Sequence, residues 1–272
     1  MSDCQAGIPA APLSGRRVVV TRPEGQGVAV LRAALEARGA VVLEIPLLEV
    51  EYTANPAELG DAWDDMGKFD WLVFTSANGV RGFFERFFET FNDIRALGLA
   101  RIACVGDATA SAVRQYHLNV DFQPADATAA GIASELTQRE DIAHLRLLVV
   151  TGSRNSDELP RALETVGKAI VQTLAVYAVT ENDAGQLDAT ESFRRHGADA
   201  ILFASPSAVE SFVAQARHLT PGKSARQPKA VAIGPSTAAS LREHGIPVAA
   251  TAANPAPESF ADAVVRSLAP AG

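Results

Sequence analysis

Small hydroxyl-bearing residues follow short apolar runs at five places in the chain, where a strand would pass into a helix. The five segments read VVVTRPEG, VFTSANGV, CVGDATAS, FASPSAV and AIGPSTA, and the second and fourth carry Ser76 and Ser205 at matching places. A helix N-terminus offers free backbone N–H groups and the positive end of the helix dipole, which suit carboxylates and phosphates. Any one such segment is more often a simple helix cap. Five together predict a binding site for a ligand with several negative charges.

Two arginines and one tyrosine offer other chemistry. Arg22 follows a predicted strand and precedes a proline that suits the first turn of a helix. At this strand end its guanidinium could bind a ligand carboxylate with two hydrogen bonds. A surface salt bridge is the simpler alternative. Arg154, in VTGSRNSDEL, has a weaker claim, because loop arginines are commonly solvated. Tyr177 is one of only three tyrosines. Strand tyrosines are commonly packing residues, but a phenol can also donate a proton to a leaving group.

No residue pattern supports nucleotide, hydrolytic or metal chemistry. The chain lacks the phosphate-binding pattern G-x-x-x-x-G-K-[ST], and GQGVAV lacks the third glycine of a dinucleotide loop. Neither Ser76 nor Ser205 lies in a G-x-S-x-G pattern, and the five histidines never fall at metal-ligand spacing. Cys104 lies in the apolar string IACVG and reads as a buried strand residue. We expect no metal.

The composition of the chain limits which partners it can bind and where in the cell it is expected. The 272 residues carry a net charge of −8, and lysine and arginine are dispersed, which disfavours nucleic acid. The apolar runs fall far short of the roughly 20 residues that cross a bilayer, so no membrane partner is expected. Residues 1–15 lack the basic and apolar regions of a signal peptide and read as a disordered leader. We therefore expect a cytoplasmic protein.

The chain repeats itself at an offset of 128 or 129 residues. The segment DWLVFTSANGVRGFF, at residues 70–84, returns as DAILFASPSAVESFV at residues 199–213. CVGDATASAVRQYHLNV, from Cys104, returns as AIGPSTAASLREHGIPV, from Ala232. A fixed internal offset of this kind is the mark of duplicated architecture.

Each repeat alternates short β-branched runs with helical patterns, which is typical of parallel sheets. Strands are predicted at residues 17–21, 41–50, 70–74, 101–105, 119–122, 146–151, 170–179, 199–203, 229–233 and 247–250. Helices lie between them, with a last one at 257–268, and the helix after VFTS places its apolar side chains at Val80, Phe83, Phe84, Phe87 and Phe88. The economical fold is α/β, with two similar doubly wound, flavodoxin-like domains.

Two apolar segments are longer than a typical buried strand at the centre of a sheet. They are IPLLEVEY at residues 45–52 and LAVYAVTE at 174–181, and their equivalent places in the duplication predict a two-stranded β-ladder between domains. The domains would then be discontinuous, with residues 1–46 and 182–272 in the first and 47–181 in the second. Because ligands bind beyond the carboxyl ends of parallel strands, we expect a ligand cleft between the domains.

The motifs together resemble the uroporphyrinogen-III synthase family across residues 16–268. The resemblance is carried by VVTRP, IPLLEVE, FTSANGV, VGDATA, the VY that ends at Tyr177, FASPSAV and AIGPSTA, in this order and spacing. It implies a lyase of porphyrin, tetrapyrrole and haem biosynthesis that closes hydroxymethylbilane to uroporphyrinogen III. Ring D is inverted and water is lost in that reaction. The substrate is a linear tetrapyrrole with eight carboxylates, which agrees with the polyanion site predicted from the helix starts.

The resemblance also implies roles for single residues. Tyr177 matches the tyrosine best placed to assist loss of the hydroxyl, and the residues matching Thr109, Ser205 and Thr237 contact the substrate. Ser236, beside Thr237 in AIGPSTA, is a further candidate for substrate binding. The resemblance implies no metal and no organic cofactor. It implies a monomeric protein, with hydroxymethylbilane synthase as the upstream partner. The loop TGSRNSDEL departs from the family, since Thr151 and Ser156 stand where arginines are common. Arg154 is the nearest replacement.

Two alternatives use the same architecture without the chemistry. A non-catalytic relative could serve as a regulatory or ligand-binding module, and an appended helix-turn-helix domain would favour it. A periplasmic-type solute-binding protein would also have two domains and a cleft, but it would carry an export signal. Formation of the type III isomer separates the synthase from both.

Overall fold

The computed structural model describes residues 11–23, 26–154 and 156–269, and this part of the chain forms ten strands and eleven α-helices. The strands are β1 (Arg17–Val20), β2 (Val41–Glu44), β3 (Leu48–Glu51), β4 (Trp71–Phe74), β5 (Arg101–Cys104), β6 (Arg146–Gly152), β7 (Ile170–Glu181), β8 (Ala200–Phe203), β9 (Lys229–Ala232) and β10 (Val248–Thr251). The helices are α1 (Gln26–Ala37), α2 (Pro56–Asp64), α3 (Ala77–Thr90), α4 (Asp107–Arg114), α5 (Ala129–Arg139), α6 (Glu158–Thr165), α7 (Asp188–His196), α8 (Pro206–Ala214), α9 (Ala216–Leu219), α10 (Pro235–Glu243) and α11 (Pro257–Leu268). Short 3₁₀ turns lie at Met66–Lys68, Ile94–Leu97 and Ala184–Gln186.

The strands form two five-stranded sheets with related orders. Sheet 1 runs β10-β9-β8-β1-β2, and sheet 2 runs β3-β7-β6-β4-β5. In sheet 1, β8 pairs in parallel with β9 and β1; in sheet 2, β4 pairs in parallel with β5 and β6. The duplicated segments therefore occupy equivalent places in the two sheets. The prediction of two doubly wound parallel-sheet layers is confirmed.

Equivalent aspartates hold the amino ends of the strands in both repeats. The Asp70 carboxylate accepts the backbone N–H of Arg146 at 2.8 Å, and the Asp199 carboxylate accepts that of Arg17 at 2.9 Å. Burial alone would raise the pKa of Asp199, but the N–H of Arg17 and the guanidinium groups of Arg16 and Arg226 outweigh it, so the pKa is lowered. The duplication thus extends from the strand order to a specific hydrogen bond.

The chain divides into two compact units, and it crosses between them twice. Unit 1 is Met1–Glu49 with Thr180–Gly272, and unit 2 is Val50–Val179. Both crossings lie within strands, one in β3 and the other in β7, and these two strands are neighbours in sheet 2. The domain boundaries that the sequence places at 46/47 and 181/182, and the cleft, stay predictions.

Three details differ from the predicted elements. The strand predicted at residues 41–50 is two strands, because Pro46 lacks the N–H that would continue the ladder. The strand predicted at 119–122 is only an isolated bridge from Phe122 to Ala103, with Pro124 close behind.

The third difference concerns the leader. Residues 1–10, with Cys4, lie outside the described residues, but 11–15 form a turn rather than a disordered segment. Leu13 in that turn is fully buried, and its N–H donates to the Arg38 carbonyl at 2.8 Å. The packed part of the chain therefore begins earlier than predicted.

Helix α3 packs its apolar face on sheet 2. Four of the five predicted core residues of this helix are buried, and Phe88 is 43% exposed. The buried phenylalanines join Phe74 and Trp63 in an aromatic cluster with mostly edge-to-face contacts. Gly82 lies where the helix comes closest to β7: a Cβ at this position would be 2.7 Å from the Val176 carbonyl oxygen.

We expect Gly82→Ala to destabilise the protein although alanine favours helices. Inside a helix this exchange normally stabilises by about 0.5–1 kcal/mol, but the clash with a backbone oxygen should cost about 1–3 kcal/mol. The free energy of unfolding from urea titration measures the balance.

Gly60→Ala in α2 is the matched control, because a Cβ there meets nothing within 4 Å. This variant should be more stable than the wild type. Equal stabilisation by both exchanges would contradict the close approach of α3 to β7.

Candidate functional site

Tyr177 lies at the carboxyl end of β6 because of a register shift. Strands β6 and β7 pair in parallel up to Thr151 opposite Ala175, and then Gly152 pairs with Tyr177. The extra residue on β7 is a bulge, and bulges commonly re-aim a side chain next to an active site. Tyr177 is 8% exposed and joins the core cluster on the α3 side of the sheet.

The Tyr177 ring packs directly on the backbone of Gly152. A Cβ at this glycine would lie 2.7 Å from Tyr177 Cζ and 3.0 Å from its Oη. The next residue in the chain, Ser153, donates its N–H to the Tyr177 carbonyl at 2.8 Å. The sequence TG at the end of β6 therefore leaves a space that the phenol fills.

Ser76 contacts the phenol from the start of α3. It is the N-cap of this helix, with extended backbone, and its Oγ accepts the N–H of Gly79 at 3.0 Å. Its hydroxyl donates to Tyr177 Oη at 3.0 Å. Ser76 and Tyr177, two residues singled out from the sequence, are thus in direct contact.

A cavity of about 280 Å³ opens at the same edge of sheet 2, on its other face. Thr75, Thr151 and the start of α5 line it, and Thr75 Oγ1 donates to the Val150 carbonyl at 3.1 Å. Asp157 also lines it, with a carboxylate that is 77% exposed and 3.7 Å from Arg161. Apolar side chains, among them Val105, Val149 and Leu159, line the cavity together with these hydroxyl groups, so it suits the apolar part of a ligand better than a carboxylate.

The other candidates of unit 2 differ in burial. Thr109 is the third residue of α4 and is 5% exposed. This helix begins after Gly106, which has no side chain to cap it, so within the described ranges α4 starts without a side-chain cap on its first N–H groups. Arg154 follows β6 in an exposed position.

Four further candidates follow strands of sheet 1 within unit 1. Ser205 caps α8, and its Oγ accepts the N–H of Ala208 at 3.2 Å. Ser236 is exposed in the first turn of α10, and Thr237, next to it, is 1% exposed. Within the described ranges, Thr237 Oγ1 has no hydrogen-bond partner. A buried hydroxyl without a hydrogen-bond partner destabilises the folded protein, so a ligand atom that bonds to it would bind favourably here.

Arg22, the fourth, lies two residues after the end of β1, beside the first turn of α1. A Cβ on Gly27 would be 3.5 Å from its guanidinium Nη2. Burial lowers the pKa of this guanidinium. Among residues 11–23, 26–154 and 156–269 it has no ion-pair partner, so the surface salt bridge weighed from the sequence is not seen there.

Other reactive groups of the described chain offer no competing chemistry. Burial raises the pKa of the Cys104 thiol to about 12, which keeps it protonated and unreactive at neutral pH. No group of three or more metal-ligating side chains occurs in the described ranges. Among the helices described, none is long and apolar enough to cross a bilayer.

A family model described as "Uroporphyrinogen-III synthase HemD" matches residues 29–262, which is most of the chain. The chain belongs to this family. The uroporphyrinogen-III synthase of Synechococcus elongatus is 30% identical over 74% of this chain and 75% of its own length. The porphyrin biosynthesis protein HemD of Ruminiclostridium josui is 28% identical over 86% of this chain, which spans only 45% of that protein.

The fold is also found among solved structures of the uroporphyrinogen-III synthase family. A mutant uroporphyrinogen III synthase from Thermus thermophilus matches with a TM-score of 0.62 and 22% identity, over 93% of this chain and 98% of that one. At this identity the match bears on the fold alone. The resemblance read from the sequence motifs is confirmed at the level of the family.

Sequence reasoning missed Gly152, the residue on whose backbone the Tyr177 ring packs. A signal was present, because Gly152 ends a run of buried β-branched residues at a strand terminus, where a glycine often marks a bulge or close backbone approach. The sequence did not show that Gly152 pairs with Tyr177, because the two residues are opposite each other only as a result of the bulge.

Proposed function

We propose that the chain is a cofactor-free, cyclising hydro-lyase that converts hydroxymethylbilane to uroporphyrinogen III with inversion of ring D. The observation that carries the proposal is the Tyr177 phenol, held by Ser76 and Gly152 at the carboxyl edge of sheet 2, in a member of the uroporphyrinogen-III synthase family. The alternative, a relative that binds without turnover, has no observation that favours it.

In the proposed first step, Tyr177 Oη gives its proton to the terminal hydroxyl of the substrate. The C–O bond breaks, water leaves, and the electron pair of the pyrrole nitrogen forms the electrophilic azafulvene. The substituted α-carbon of ring D attacks the azafulvene methylene and gives the spirocyclic intermediate. The bond from that carbon to the methylene of ring C then breaks, and the free α-carbon of ring D bonds to this methylene, which inverts ring D and closes the macrocycle. The phenolate recovers a proton when the last pyrrole regains its aromaticity, so protons balance without a cofactor. Acid assistance of this kind is worth on the order of 10²- to 10⁴-fold.

Carboxylates of the substrate would be held by helix starts and nearby side chains. Two helices, α4 and α10, begin after Gly106 and Gly234 without a side-chain cap, which supports backbone binding of anions next to Thr109 and Thr237. Arg22, Arg154, Ser205 and Ser236 are proposed as further contacts. The monomeric state, the cytoplasmic location and delivery by hydroxymethylbilane synthase stay predictions.

The test is the isomer of the product. Purified protein given hydroxymethylbilane should yield uroporphyrinogen III, which chromatography after oxidation separates from the type I isomer. The type I isomer forms spontaneously, so a reaction without protein sets the background. Production of type I alone, at the background rate, would refute the synthase and leave the non-catalytic relative.

A further inference from the structure

The contact between Ser76 and Tyr177 belongs to a directed chain of hydrogen bonds. Gly79 N–H donates to Ser76 Oγ at 3.0 Å, and the Ser76 hydroxyl donates to Tyr177 Oη at 3.0 Å. Gly79 lies in the first turn of α3, a helix of 14 residues, where free N–H groups carry the positive end of the dipole. Polarisation along this chain therefore reaches the phenol oxygen.

We propose that Ser76 is a positioning residue for Tyr177 and not a contact for a substrate carboxylate. The inference rests on the proposed synthase activity. Its hydroxyl orients Oη, so that the phenol proton points away from Ser76. Because Ser76 Oγ already accepts the Gly79 N–H, a Ser76 hydroxyl that donates to Oη leaves the phenol proton for the leaving hydroxyl of the substrate.

The Ser76 hydrogen bond strengthens during the reaction. Before proton transfer it joins two neutral hydroxyls, whereas afterwards its acceptor is a phenolate, and hydrogen bonds to ions are about twice as strong as neutral ones. An interaction that strengthens towards the transition state acts on kcat, while one that is equally strong with bound substrate acts on KM. A carboxylate contact would behave in the second way.

The test is a double-mutant cycle on the steady-state constants for type III product, using Ser76→Ala, Tyr177→Phe and the double variant. We expect Ser76→Ala to lower kcat about tenfold with KM unchanged, as for the loss of one hydrogen bond. In the Tyr177→Phe background the same exchange should change kcat by less than about twofold, because the acceptor is gone. Ser76→Thr should restore kcat, since it keeps the hydroxyl.

Two controls separate this role from the capping of α3. Ser76→Gly removes the hydroxyl but is well tolerated at an N-cap, so it should show the same fall in kcat with little loss of stability. Ser205→Ala removes the equivalent cap of α8, where the Ser205 hydroxyl accepts the Ala208 N–H. Its effect should multiply with that of Tyr177→Phe and not vanish in the double variant.

The outcomes distinguish this inference from the proposed function. A rise in KM with kcat unchanged, or effects of Ser76→Ala and Tyr177→Phe that multiply, would overturn the positioning role while the wild type still makes type III product. A wild type that yields only the type I isomer would refute the synthase, and the positioning role with it.

Discussion

Tyr177→Phe is expected to lower kcat for type III formation by about 10²- to 10⁴-fold, the usual worth of a general acid. Phenylalanine keeps the ring that packs on Gly152 and loses only Oη, so the fold and substrate binding should persist. Activity should not vanish, because water can also protonate a leaving hydroxyl. Initial rates of type III product, with the type I background subtracted, measure the effect.

Tyr116→Phe is the matched control for this exchange. Tyr116 stacks on Phe84 with ring centroids 4.1 Å apart, in the aromatic cluster of the same unit, and has no part in the proposed reaction. Its variant should turn over at the wild-type rate. Full activity in Tyr177→Phe would remove this phenol from the mechanism. If the circular dichroism spectrum of Tyr177→Phe shows loss of secondary structure, its lower activity results from misfolding.

The fold could be read from the sequence because its signals are local and occur twice. Buried parallel strands are continuous apolar runs, as in WLVF of β4, and the helices that follow carry apolar residues at helical spacing. The internal offset indicated which strands are equivalent without any knowledge of their neighbours. The errors lie where one residue interrupts a pattern, as Pro46 does between β2 and β3.

The candidate residues could be chosen from the sequence, but their contacts could not. Ser76 and Tyr177 are 101 residues apart in the chain, and they meet because a one-residue bulge follows Thr151 in the pairing of β6 with β7. The stretch of β7 around the bulge, LAVYAV, is apolar throughout, so it has no polar-apolar alternation that would reveal the extra residue; Gly152 is the one local sign. The sequence therefore indicated a phenol and a hydroxyl without showing that one binds the other.

The hydroxyl-rich helix starts also divide into two kinds that the sequence does not separate. Ser76 and Ser205 accept N–H groups of their own helices, so the plain capping interpretation holds for both. At α4 and α10 the capping position is a glycine, so in the described part of the chain these helices have no side-chain cap. Both kinds of residue are common N-caps, so only the structure indicates which helix starts keep free donors.

Gly152→Ala is expected to lower kcat by about 10²-fold although it alters no reacting group. The added Cβ would lie 2.7 Å from Tyr177 Cζ, so the ring must move, and with it the Oη that Ser76 holds. A misplacement of about 1 Å in a catalytic group can cost this much. The crowding should also lower the free energy of unfolding by about 1–3 kcal/mol, measured by urea titration.

Combining Gly152→Ala with Tyr177→Phe separates the displaced hydroxyl from general damage to unit 2. The ring is still crowded in the double variant, so the loss of stability should remain. Because Oη is already absent, kcat should fall little below that of Tyr177→Phe alone. If Gly152→Ala lowers kcat equally in both backgrounds, the glycine serves the fold and not the placement of the phenol. If it leaves kcat at the wild-type value, the position of the Tyr177 ring on Gly152 does not govern proton transfer.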